Sequence, residues 1–463
     1  MNRFLIGLLL CGATSAFAAA PQGGIDAQML QRLRATYQNT PSDKAISNAL
    51  KSTDIDILAT NADNKNNFDD NFSHRVKSKG ITNQKSSGRC WLFTGLNTLR
   101  SQMMEEHNLP KLELSQNYNF FFDQLEKSNL FLQEVLNTAD LPMEDTKVTF
   151  LFKNPVSDGG QFTGISDNLL KYGVVPKEVM VETFSSSATS KLRRNLQRKL
   201  REQGLQLRRM KESGASAGDI AKAKEQMLSE VYRMLALTLG VPPTEFTWTR
   251  KDKDGKVVST KTYTPQSFYK EFAGNDLKSD YVMFMNDPTR EYYKLYEIDL
   301  DRHMYDGKNW CYINVPMEDI KEMAIASIKD GKMMYFSCDV GKFLNRENGT
   351  LDVNNFDYDS LFGVKFGMDK ADRIRTFDSG SSHAMTLVGV DLDEAGKPKK
   401  WLIENSWGNG ANDGHLIMTD NWFDEYMFRL VVNKKFVPAK LLAIEKQKPI
   451  LLPPTDPMFL EEE

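Results

Sequence analysis

Gln84-Lys85-Ser86-Ser87-Gly88-Arg89-Cys90-Trp91-Leu92-Phe93 is the stretch on which the fold turns. It sets a thiol at the mouth of an apolar run, with an amide side chain a short loop upstream. Leu92, Leu96, Leu99 and Met103 follow at i, i+4, i+7 and i+11, the spacing of one buried helical face. Ser86, Ser87 and Gly88 are turn and cap residues, so the loop ends and the helix begins at about Cys90. A cysteine in that place meets the positive end of the helix dipole and unsatisfied backbone N–H groups, both of which favour thiolate over thiol. A lone cysteine on such a helix reads first as a core residue. The remainder of the chain has to supply a base.

At 463 residues the chain has room for two or three domains, or for one large fold with insertions. With 40% hydrophobic and 26% charged residues it has the composition of an ordinary soluble globular protein, and a net charge of −3 argues against a general nucleic-acid binder. The N-terminus stands apart. Met1-Asn2-Arg3 is a short positive region, residues 4–10 are apolar, and Ala16-Phe17-Ala18 is a small-x-small cleavage pattern. The pattern predicts a signal peptide over residues 1–18, too short for a membrane anchor, and hence export to the periplasm or beyond. No membrane span is expected in the mature chain. Export leaves Cys90, Cys311 and Cys338, an odd number, so at least one thiol has no disulfide partner within the chain.

Residues 19–75 are polar, with broken helical signals, and read as an N-terminal arm. Residues 76–184 form a helical lobe with the nucleophile; within it Ser157-Asp158-Gly159-Gly160-Gln161 is a glycine turn before a helix that Gly173 ends. Residues 185–310 read as a mainly helical insertion, made basic by residues such as Lys191, Arg193, Arg194, Arg201 and Arg208, and folded into a helical hairpin at residues 213–216. Such a charge run is first a solvated helix face, with subunit contacts or a nucleic-acid-facing surface as the alternatives. Residues 250–257 resemble a charged hairpin tip. Strands are expected at 333–340, 383–390, 400–404, 415–419 and 428–432, within a β lobe over 311–445. Helices first and strands afterwards is an α+β order. Residues 446–463 carry four prolines among residues 448–457 and end in three glutamates; they are expected to form an extended tail without regular structure.

A nucleophilic thiol needs a base, and the base an orienting partner. Of the five histidines, His383 begins an apolar strand, and the next strand ends at Asn405-Ser406-Trp407-Gly408. A hairpin turning near Glu394 and Ala395 places His383 and Asn405 nearly opposite one another, so the amide of Asn405 can accept the imidazole N–H. Trp407 would shield that bond from water. The side-chain amide of Gln84 and the backbone N–H of Cys90 can serve as oxyanion donors. Gly159 and Gly160 offer backbone without Cβ obstruction, suited to an extended peptide. The histidines have no HExxH spacing and the cysteines no CxxC pair, so no metal or other cofactor is expected.

Gln84 and Gly88-Arg89-Cys90-Trp91, Asp158-Gly159-Gly160, His383-Ala384-Met385 and Glu404-Asn405-Ser406-Trp407-Gly408 resemble the papain-type cysteine peptidases. The nearer resemblance is to their bleomycin hydrolase/aminopeptidase C branch, through residues 171–176, 338–342, the basic insert and Asp456-Pro457-Met458. Ser87 stands where many secreted relatives of papain carry a disulfide-forming cysteine. The resemblance implies an α+β, papain-like two-lobe fold with a helical insertion, with Cys90, His383 and Asn405 catalytic, Gln84 at the oxyanion and Trp407 in support. It implies removal of N-terminal residues from peptide substrates through a thioester acyl-enzyme. It also implies a homohexamer, and a C-terminal tail directed to the active site whose end, Glu463, pairs with the substrate ammonium. The alternatives are a cysteine endopeptidase of the same fold with the tail displaced, or an oligomeric binding protein using the basic insert.

Overall fold

In a computed structural model the run behind the loop forms the helix Cys90–Glu106. The structure describes residues 23–64, 68–274 and 277–459; the expected signal peptide and Glu463 lie outside them. The spacing of leucines predicts one buried face, yet the helix is buried on all sides from Trp91 to Ser101. It packs against the strands His383–Leu392 and Met334–Cys338 and against the helices Gln116–Asn137 and Phe162–Tyr172. A periodic reading finds a face only where one side meets water, so it understates a helix enclosed by other elements. Buried polar groups on this helix bond inward. Asn97 Nδ2 donates to Thr82 Oγ1 at 2.8 Å and Arg100 Nη2 to the Gly80 carbonyl at 2.7 Å, tying the helix to the loop that precedes it.

The helical side continues through the hairpin Ser190–Glu212 and Ala217–Leu239, which turns at the expected place. Much of its basic charge is engaged within the chain. Arg193 pairs with Asp158, Arg201 donates to the carbonyls of Phe152 and Lys153, and Arg208 is buried and donates to the carbonyls of Thr138 and Leu141. Beyond it the hairpin Phe246–Lys251 and Val257–Tyr263 makes a separate two-stranded sheet.

The described strands of the main sheet run in the order Ile450–Leu452, Lys294–Ile298, Cys311–Asn314, Tyr281–Met285, Met427–Asn433, Met334–Cys338, His383–Leu392, Pro398–Glu404, His415–Thr419, Thr350–Leu351 and Leu344–Asn345, and His74–Arg75 pairs with His383–Leu392. Two features differ from the sequence reading. Tyr281–Met285 and Lys294–Ile298, within the segment read as a mainly helical insertion, are strands of this sheet. The tail also contains a strand: Ile450–Leu452 pairs in parallel with Lys294–Ile298. Its flanking prolines are tolerated because an edge strand leaves one row of backbone groups without ladder partners.

Residues 23–60 with 357–364 form a small unit of their own. Its first helix, Ala27–Thr36, is capped by Asp26 and has no buried residue. Met29, Leu30, Leu33 and Tyr37 are all exposed.

Candidate active site

The loop before Cys90 is shaped by Arg89. Sequence reading gives capping to Ser86, Ser87 or Gly88, but the N-cap position is Arg89, and no side chain caps the first turn. The Arg89 guanidinium is fully buried. It forms a bidentate pair with Glu182 at 3.1 and 2.8 Å, donates from Nε to Ser87 Oγ at 3.1 Å, and lies over the rings of Phe93 and Phe120. Ser87, where a disulfide is absent, thus serves as an anchor for this arginine. With no side chain capping it, the positive end of the helix is directed at Cys90.

Gln84 is buried and its amide is fixed at both ends. Nε2 donates to the Ser87 carbonyl at 2.7 Å, and Oε1 accepts from Ser406 Oγ at 2.6 Å. Since Nε2 carries two hydrogens, one remains for a substrate oxygen. The backbone of Gln84 is bonded to the same turn, its N–H donating to the Ser406 carbonyl at 2.8 Å.

His383 and Asn405 meet across the hairpin. The turn falls at residues 393–397, close to the expected place. The ladder pairs Asp391 with Lys400 and Thr386 with Glu404, one to two residues from a regular hairpin, because bulges intervene between Leu387 and Gly389 and between Asp391 and Leu392. Nε2 of His383 lies 3.0 Å from Asn405 Oδ1, and the same oxygen accepts the Ser406 backbone N–H at 2.8 Å. That second bond identifies the atom as the amide oxygen, so Nε2 carries the proton and Nδ1 is left as the basic nitrogen. Trp407 lies over the imidazole with ring centroids 5.1 Å apart. Burial, opposed by the bond to Asn405, pushes the imidazolium pKa down to about 4, so the ring is a neutral base.

Cys90, His383, Gln84, Gly159 and Gly160 line one cleft; Asn405 and Trp407 stand behind the histidine. Phe459, the last described residue, enters the same cleft. It is held there by Asp456, which pairs with Arg290, and by Arg429, which donates to the Met458 carbonyl. Cys90, Cys311 and Cys338 are all thiols, and burial pushes that of Cys311 up to about 12.

Sequence reading missed the support beneath the glycine turn. Lys127 donates to the carbonyls of Ser157 and Gly159 at 3.2 and 2.5 Å, and pairs with Asp123 at 3.2 Å. Asp123 in turn lies 2.6 Å from His303 Nδ1, and His303 packs edge-on against Trp91. A Cβ on Gly160 would sit 2.2 Å from His303 Cε1, which explains the glycine. Burial, then the positive charge of Lys127, holds the pKa of His303 below its ordinary value. Lys127 and His303 together outweigh burial and keep that of Asp123 low. The cluster is therefore a buried ion pair of Asp123 and Lys127, with His303 bonded to the same carboxylate. Its trace in the sequence is Asp123 and Lys127, an i, i+4 pair inside an aromatic-rich helix. Ser406, whose hydroxyl holds the Gln84 amide, carries no signal in the sequence.

A thiol at a helix start, an oriented neutral imidazole and a fixed amide donor around one cleft are suited to acyl transfer through a thioester. The Peptidase C1-like family profile matches residues 24–459. An aminopeptidase C of Lactobacillus delbrueckii subsp. lactis is 39% identical over 424 residues, covering 90% of this chain and 94% of its own length. The bleomycin hydrolase of Rattus norvegicus is 40% identical over 398 residues, covering 84% and 88%. The crystal structure of PepW from Lactobacillus rhamnosis HN001 superimposes with a TM-score of 0.90 at 40% identity, over 95% of this chain and 99% of that one. The chain therefore belongs to the Peptidase C1-like family and is a cysteine peptidase of the aminopeptidase C/bleomycin hydrolase branch.

Proposed function

We propose that the protein is an exported aminopeptidase that removes single residues from peptide N-termini. The observation that carries this reading is Phe459 of the C-terminal segment in the cleft beside Cys90 and His383. A cleft closed at one end admits one residue before the scissile bond, which selects chain ends over internal bonds. The acidic residues that follow Phe459, Glu463 among them, supply the carboxylate that pairs with the substrate ammonium.

Cys90 Sγ attacks the first peptide carbonyl, and His383 Nδ1 takes the thiol proton. The oxyanion is held by the remaining Gln84 Nε2–H and the Cys90 N–H, while Gly159 and Gly160 align the substrate backbone. The imidazolium protonates the departing amine as the C–N bond breaks and the thioester forms. Water deprotonated by His383 then attacks the thioester, releasing the amino acid and the thiol. Asn405 and Trp407 keep the ring oriented throughout.

Export follows from the pattern of residues 1–18 and predicts a mature chain beginning at or just after Ala19 in the periplasm or medium, read by mass spectrometry. The exposed apolar residues of the N-terminal helix support assembly into an oligomer, for which the family resemblance implies six subunits; light scattering of the mature protein gives the subunit number.

The activity is tested with matched peptides carrying free and acetylated N-termini. Free peptides should be shortened one residue at a time, acetylated ones left intact, and Cys90→Ala should be inactive on both. Equal cleavage of the acetylated set by the intact chain would establish an endopeptidase and overturn the reading.

A further inference from the structure

Arg346 is next to His383 through Trp407 and is not among the residues that line the cleft with Gly159, Gly160 and Phe459. It occupies the tip of a tight turn between the short strands Leu344–Asn345 and Thr350–Leu351. That turn is rigid: Asn345 Oδ1 accepts the N–H groups of Glu347 and Asn348, and its carbonyl accepts that of Gly349 at 3.0 Å. The Arg346 guanidinium lies 5.1 Å from the centroid of Trp407, which itself covers His383. Its side chain is exposed and makes no ion pair among the described residues.

The position assigns a direction. Gly159, Gly160 and Phe459 line the cleft with Cys90 and His383, and on the aminopeptidase reading the first substrate residue lies against them, whereas neither Trp407 nor Arg346 is part of that lining. The departing part of the peptide therefore passes His383 toward Trp407. Each extended residue spans about 3.5 Å, so the first or second departing residue comes level with the guanidinium. A cation stacked on an aromatic face keeps its planar N–H fork free at the edge, the geometry that recognises a carboxylate.

We propose that Arg346 forms a carboxylate subsite on the leaving-group side of the cleft. It selects peptides whose first or second departing residue presents a carboxylate, either the chain terminus of a di- or tripeptide or an acidic side chain. The inference rests on the aminopeptidase reading and names the substrates that this activity favours, peptides with a carboxylate one or two residues beyond the scissile bond. The Arg346 charge is also felt at His383, where it disfavours the imidazolium, in keeping with its nearness to the reacting groups. A bound carboxylate offsets that charge when the ring must become protonated.

The test uses the full mature chain, wild type, Arg346→Gln and Arg346→Lys, with Ala-Ala against Ala-Ala-amide and Ala-Asp-amide against Ala-Asn-amide. In the wild type kcat/KM should favour the charged member of at least one pair by about fivefold. The ratio should fall to near one in Arg346→Gln and be largely retained in Arg346→Lys; any general change in activity cancels in the ratio. The first pair reports the chain terminus and the second the side chain. Ratios identical in wild type and Arg346→Gln overturn the inference. An alanyl anilide has no carboxylate and reports the aminopeptidase reading alone: without its hydrolysis by the wild type both fall, and with it unchanged ratios overturn only the subsite.

Discussion

Ser406 Oγ donates a 2.6 Å hydrogen bond to Gln84 Oε1, so the turn that follows the β-lobe hairpin holds the amide on the loop before Cys90. Replacing Gln84 by Ala should lower kcat by about 10²- to 10³-fold with little change in KM, as expected for a donor that acts on the developing oxyanion. Ser406→Ala removes one of the two bonds that fix the amide and leaves the one to the Ser87 carbonyl, so a smaller loss of about three- to tenfold is expected. Steady-state kinetics on one free peptide read both, and an unchanged kcat in Gln84→Ala would remove it from the oxyanion site.

Stability should depend on His383 with a definite sign. Its folded pKa of about 4 is below the ordinary 6.5, so between those values the unfolded chain binds the extra proton. Stability is therefore full above pH 6.5 and declines as pH falls toward 4, by about 3 kcal/mol at most from this group. Urea unfolding of the wild type and His383→Gln across this window should show a shallower slope for the variant.

Arg89 and Glu182 form a bidentate pair with the guanidinium fully buried. Glu182→Ala strands that charge beneath the nucleophile loop and should cost about 3–5 kcal/mol. Glu182→Gln, which keeps one acceptor, should cost less. Denaturation midpoints rank the two.

Gly160→Ala puts a methyl group into His303 and Trp91 Cε2, at 2.2 and 2.8 Å. Because the clash is with buried rings, a destabilisation of about 1–3 kcal/mol is expected. Displacement of the glycine turn should raise KM for peptides more than it lowers kcat.

Asp456→Asn weakens the pair with Arg290 that anchors the segment leading to Phe459. The variant should gain hydrolysis of acetylated peptides that the intact chain leaves uncut, while still acting on free ones. Product analysis by mass spectrometry distinguishes this gain from a general loss.

Much of this architecture is legible from sequence because its chemistry is local. Cys90 at a helix start and His383 and Asn405 at facing strand ends follow from apolar spacing and one hairpin, and the bulges shift the register without separating the pair. What is illegible depends on distant partners. The i, i+4 spacing of Asp123 and Lys127 says nothing of His303, which arrives from 180 residues away. Tyr281–Met285 lacks alternation because most of the strand is shielded from water, so it resembles any short apolar run. Ile450–Leu452 lies among prolines that normally mark loops, and only its place at a sheet edge makes it a strand.

That edge strand also sets the strength with which the cleft is occupied. From Leu452 to Phe459 is a short tether, and a short tether gives an effective concentration in the millimolar range. A segment too weak to bind as a separate peptide can then fill the cleft most of the time. Added in trans to a tail-deleted enzyme, the same sequence would have to approach that concentration to restore the block, whereas a substrate need only match the tether.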